Sequence, residues 1–245
     1  MGIPFIFFIN TSNFAERKVS LVHKIHLVRS RLSSAEILME LSKNSLFELT
    51  PQEKAKAVFH YNYDEEQTAL LKYLLTFKMS LAQQQEFIHP LFEQLFEEES
   101  LNSELYFDEE MLQVLNDQDA LGSHSHNHVP LGNISPEELQ KELKHTQDFF
   151  RQKFGKPAIS ISYPYGSQEA SSAISEQVNA HGFKLGFTME RAMNNSLEED
   201  SLLLSRFDCN DMPLGKNELL KVGKLFQEAQ LRNWYKNENS ITYKR

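Results

Sequence analysis

The chain lacks several features that would each have directed the reading elsewhere. One cysteine, Cys209, stands alone in 245 residues, so no internal disulfide can form. With 40% hydrophobic residues the chain is long enough to bury a core without such staples. Basic residues are outnumbered, 25 Lys and Arg against 34 Asp and Glu, and the formal charge of −9 disfavours a phosphate-backbone partner. No apolar run has the length of a membrane span. The run Phe5–Ile9 is far too short, and it lacks the basic n-region and small-residue cleavage site of a signal peptide. These absences predict a cytoplasmic protein with no nucleic-acid partner and no membrane span; they leave the oligomeric state open.

Glycine is absent between Gly2 and Gly122, while eight glycines fall from Gly122 onward. The chain therefore has two compositional halves. Residues of roughly 14–117 read as helical throughout, with apolar spacing at Val19, Val22, Ile25 and Val28 and again at Ile37, Leu38 and Leu41. Thr50-Pro51-Gln52-Glu53 is a capping box with proline at the first helical position and predicts a helix to about Tyr61. Further helices are expected from Asp64-Glu65-Glu66 through Leu75 and across Phe87–Phe96.

The second half alternates. Short strands are predicted at 120–124, 158–166, 184–189 and 202–208, separated by helices. One helix starts at the capping box Ser135-Pro136-Glu137-Glu138 and is closed by Gly155; another is expected from Gln168 to His181, ended by Gly182. At the chain start, Phe5–Ile9 is aromatic and β-branched and predicts a buried strand. Strand and helix in this rhythm imply a parallel β/α sheet or barrel.

The densest chemical signal is Gly122-Ser123-His124-Ser125-His126-Asn127-His128. A strand would point all three imidazoles to one face, and a helical turn would stack only His124 and His128. Ligands bind at the carboxyl ends of parallel strands, where this cluster falls. Imidazoles suit zinc and similar ions. A solvated loop is the bland alternative; three histidines in five residues at a strand end favour a metal. His23, His26, His60, His89, His145 and His181 read as helix-surface or structural residues.

The run from Leu121 to Ser135, then a capped helix, then Ser160–Gly166, resembles the polysaccharide deacetylase family, the NodB-like carbohydrate esterases. Their histidine motif matches His124-Ser125-His126-Asn127-His128. The resemblance implies that His124 and His128 are metal ligands, that Ser125 shapes the loop, and that His126 lies outside the motif proper. Tyr163-Pro164-Tyr165-Gly166 is similar to a further motif, whose main-chain N–H at Tyr165 would help hold the oxyanion. Gly2–Asn10, Leu105–Met111, Gly182–Thr188 and Leu204–Asp208 resemble neighbouring segments. Residues 1–13 and about 102–212 are covered, and the helical segment between is not.

The resemblance implies an α/β fold, a distorted (β/α) barrel incomplete at its first strand. Residues 1–245 would form one deacetylase-like domain with 14–101 as a helical insertion. It also implies a divalent metal, zinc in the first place, an acetylated carbohydrate substrate, and hydrolysis of its N-acetyl or O-acetyl groups. The family's Thr-Phe-Asp-Asp-Gly motif, which supplies a base and a third metal ligand, is not found, nor is its late histidine motif. The expectation is either a late-called or truncated frame, or another carboxylate in place of the lost pair. Asp119, Asp208 and Asp211 are the candidates, with Asp208 best placed at a strand end; capping a helix or pairing with Arg206 is its simpler role. Two further readings stay open: an inactive carbohydrate-binding or scaffold protein of the same fold, and a different metal hydrolase using His124 and His126.

Overall fold

The computed structural model describes residues 2–43, 48–171, 173–216, 218–224, 227 and 229–235. The chain divides into two compact units, one formed by residues 1–16 with 107–245 and the other by Arg17–Tyr106.

The first unit is an α/β structure built on a four-stranded parallel sheet in the order β1 (Phe7–Ile9), β2 (Leu121–Ser123), β3 (Ser160–Ser162) and β4 (Leu185–Phe187). Phe7 pairs with Leu121, Ser123 with Ile161, and Ser162 with Phe187. Beyond β4, the 202–208 segment contributes a parallel bridge from Leu204 to Phe187. The sheet curls without closing into a complete barrel. Phe8 and Phe187, on the first and fourth strands, meet edge to face with centroids 5.6 Å apart. Space for this comes from Gly122, where an added Cβ would lie 2.6 Å from both the Phe8 ring and Ser160 Oγ.

Helices occupy the connections. α1 (Ser12–Ala15) follows β1, and α8 (Glu109–Asp117), capped by Asp108, precedes β2. α9 (Pro136–Phe154) has the expected capping box at Ser135, and it ends at Gly155 with φ 71°, a left-handed position that suits glycine. Leu139, Leu143 and Phe150 on α9 pack with Ile161, Val178 and Phe183 in one core. The expected helix from Gln168 to His181 is broken instead into α10 (Gln168–Ser171) and α11 (Ser175–Ala180), with Ala173 between them at φ 58°. A left-handed residue cannot continue a right-handed helix, which explains the break.

The chain start also differs from expectation. β1 is an edge strand with the sheet on one side among the described residues. Phe5 and Phe7 are 52% and 45% exposed, and only Ile9 is buried within β1. Aromatic and β-branched composition identified a strand, but burial depends on what covers it.

The second unit is helical: α2 (Leu21–Arg31), α3 (Ser34–Lys43), α4 (Pro51–His60), α5 (Glu66–Tyr73), α6 (Leu81–Leu95) and α7 (Glu98–Leu105). Its core joins Val28, Ile37, Leu71, Ile88 and Phe92 from four of these helices. Thr50 caps α4 in the predicted box, and Ser80 caps α6 in a second one. Lys24 is buried against Glu98 at 2.9 Å and lies over the Phe92 ring. No helix among the described residues is long and apolar enough to cross a membrane.

Candidate metal centre

Parallel register places Asn10, His124 and Tyr163 just past the carboxyl ends of β1, β2 and β3. His124 and His128 come together there, ring centroids 4.9 Å apart and planes at 75°. His124 Nδ1 lies 2.6 Å from the carbonyl oxygen of Ser162. A carbonyl only accepts, so Nδ1 carries the proton, and Nε2 of the neutral ring keeps its lone pair. Burial lowers the His124 pKa, with the nearby Arg206 charge acting in the same direction and the Ser162 bond opposing both. The neutral ring with an anchored N–H is the form in which histidine binds metals.

The loop between the two histidines reverses the chain sharply. Ser125 and His128 both take left-handed backbone angles, φ 66° and 58°. The Ser125 hydroxyl accepts from the His128 N–H at 3.0 Å, a shaping role like the one the resemblance implied. His126 points elsewhere. It is buried, its Nδ1 is 2.8 Å from Thr11 Oγ1, and its Nε2 is 2.9 Å from Glu16 Oε1. Both ring nitrogens are thus engaged, and the ring sits edge to face with His145, centroids 5.1 Å apart.

Tyr165 also joins the pair. Its ring meets His128 with centroids 5.4 Å apart, and its backbone is left-handed at φ 61°. Among the described residues its main-chain N–H has no acceptor. Burial raises the phenol pKa, so the hydroxyl stays protonated at neutral pH.

Among the described residues Asp208 does not join the two histidines in a three-donor group. Its carboxylate caps the short turn Cys209–Asp211, accepting from Asn210 N and Nδ2, both at 2.8 Å, and these bonds lower its pKa. With Met189, Arg191, Arg206 and Asn210 it lines a cavity of about 200 Å³. Asp211 is fully buried and holds Arg191 through both carboxylate oxygens. Asp119 pairs with Lys156 at 2.7 Å. Among the described residues no group of three or more His, Cys, Asp or Glu side chains is placed to hold a metal. The two imidazoles therefore fit two positions of a divalent ion, and among the described residues no His, Cys, Asp or Glu side chain completes a three-donor group with them.

One participant was not anticipated from the sequence. Glu142 on α9 is buried and accepts from His126 N, Asn127 N and Asn127 Nδ2. The signal was available: a glutamate on the same helical face as Leu139, Leu143 and Phe150 needs a reason to be buried.

The polysaccharide deacetylase family model matches residues 1–186, and the chain belongs to that family. Among solved structures, a polysaccharide deacetylase from Bacillus cereus shares 16% identity at a TM-score of 0.35, covering 51% of this chain. This chain spans 43% of that protein's length. A Streptococcus pyogenes deacetylase, PplD, solved in complex with acetate, shares 18% identity at a TM-score of 0.39 over 76% of this chain and 84% of its own. No curated protein matches the chain significantly.

Proposed function

We propose that this chain binds a divalent metal, zinc in the first place, through His124 and His128, and that the site serves hydrolysis of acetyl groups on a carbohydrate. The observation that carries this reading is the pairing of the two rings, with His124 Nδ1 anchored on the Ser162 carbonyl. A bound divalent ion would supply Lewis acidity, polarising an acetyl carbonyl and lowering the pKa of water. The chain's own residues have separate tasks. His124 and His128 hold the ion, and the Tyr165 N–H donates to the acetyl oxygen as negative charge develops there. Asp208, with its lowered pKa, remains an anion through neutral pH. It suits binding a cation or a sugar hydroxyl better than retaining an abstracted proton.

A second reading is a carbohydrate-binding protein of the same fold without turnover. It is favoured by the lack of a three-donor cluster among the described residues. Calorimetric titration of the metal-stripped chain with zinc, beside His128→Ala, and acetate release from N-acetylated glucosamine oligomers test both. Zinc binding lost in His128→Ala together with metal-dependent acetate release supports the enzyme. Binding of the oligomer without acetate release supports the second reading, and no zinc binding by the parent chain overturns the metal site.

A further inference from the structure

We propose that Glu142 is a positioning residue for the two histidines, holding the 124–128 loop in the backbone conformation that brings their rings together. The inference rests on the metal-binding reading above. It follows from where the loop's amide protons go. His124 N donates to the Ile9 carbonyl at 2.7 Å, Ser125 N to Ser123 Oγ at 3.0 Å, and His128 N to Ser125 Oγ at 3.0 Å. These three bonds are made by the strand end and the loop's own serines. The remaining two amides, His126 N and Asn127 N, both donate to Glu142 Oε2, at 3.1 and 2.9 Å. Asn127 Nδ2 donates to the other oxygen at 2.6 Å.

The loop needs an acceptor of this kind. Left-handed Ser125 and His128 break the strand pattern on either side, so the amides between them point away from any ladder partner. A carboxylate offers lone pairs to three donors at once, and hydrogen bonds to an anion are stronger than neutral ones. Glu142 is only 7% exposed and forms no ion pair among the described residues. Its buried oxygens are therefore satisfied by these three N–H groups. Carbonyls are fixed from the other side: Asn10 Nδ2 donates to His124 O, Thr11 N to Ser125 O, and Ser12 N and Oγ to His126 O. Glu142 thus couples the register of α9 to the spacing of His124 and His128, and it touches neither ring.

The test uses the full chain, metal-free and titrated with Co²⁺, in four forms: parent, Glu142→Ala, Glu142→Gln and the double variant Glu142→Gln/Asn127→Asp. Co²⁺ affinity and the visible absorption of the bound ion report the ligand geometry. Amide hydrogen exchange at positions 126 and 127 reports the loop without metal. In Glu142→Gln the new amide nitrogen faces the Asn127 Nδ2 donor; the carboxylate introduced at position 127 in the double variant accepts from it. Glu142→Ala is expected to weaken Co²⁺ binding by about 10–100-fold, the effect of losing an outer-shell partner. It should also shift the spectrum and release both amides to exchange while β3 stays protected. The double variant should recover most of the affinity lost in Glu142→Gln. Parent-like affinity and spectrum in Glu142→Ala, or unchanged exchange at 126 and 127 in both single variants, overturns the proposal. If the parent chain binds no Co²⁺, the metal reading fails instead, and the exchange data still decide whether Glu142 holds the loop.

Discussion

Phe8 on β1 and Phe187 on β4 meet edge to face across the inner side of the sheet, 5.6 Å between centroids, with two strands between them. Gly122 on β2 lies against the Phe8 ring, and a Cβ there would meet both that ring and Ser160 Oγ on β3. The curl that aims the strand ends at a common mouth thus depends on missing side-chain volume at residue 122.

Gly122→Ala should therefore destabilise the protein by about 1–3 kcal/mol, the usual cost of overpacking. Phe8→Leu in the same background should return part of that loss, because the ring is one of the two nearest neighbours. Urea denaturation of the two single variants and the double variant measures the coupling. Additive losses would show that the Phe8 contact is not what the added methyl disturbs.

His126→Ala separates the middle histidine from the outer two. Its ring nitrogens serve Thr11 and Glu16, so the variant should keep zinc affinity while losing about 1–3 kcal/mol of stability as the buried Thr11 hydroxyl loses its imidazole partner. Calorimetry and thermal melting on the same sample check both halves. Zinc binding abolished in a folded His126→Ala protein would move the site to the alternating His124 and His126 pair.

Removal of the Ser135 hydroxyl should weaken the helix that carries Glu142. Ser135→Ala loses the acceptor for Glu138 N and should cost about 1 kcal/mol. Chemical denaturation gives the magnitude, and an unchanged midpoint would mean that the α9 start is held by its neighbours.

Glu53 makes the helical unit acid-sensitive. The Lys78 ammonium and the Thr50 hydrogen bonds hold its carboxyl at about 2, against an ordinary value of 4.5. The unfolded chain takes up this proton first, so the contribution is complete above 4.5 and is lost as pH falls through about 2. Over that window the melting temperature of the parent chain should fall more steeply than that of Glu53→Gln. Parallel slopes would show that Lys78 contributes nothing through this pair.

Much of the fold was legible because its signals are local. Capping boxes at Thr50 and Ser135 and the left-handed Gly155 depend on residues three or four apart, and the structure has all of them. The helix expected across 168–181 failed for the opposite reason: its break at Ala173 has no glycine or proline to announce it. The chain start was identified as a strand, while its exposure depended on which strands lie beside it.

For the candidate site the division is similar. The sequence by itself determined the family, the parallel β/α plan and the expectation that His124 and His128 pair, although the loop that brings the two rings together is neither strand nor helix. Only the tertiary structure decided what surrounds them. The Ser162 carbonyl that sets the His124 tautomer lies 38 residues away, and Thr11 and Glu16, which hold His126, lie more than 100 residues away. Asp208 is turned into its own cap, and Glu142 is turned toward the loop. Contacts between residues so distant in the chain form when strands and helices pack. Their partners follow from register and curvature, which no short stretch of sequence encodes.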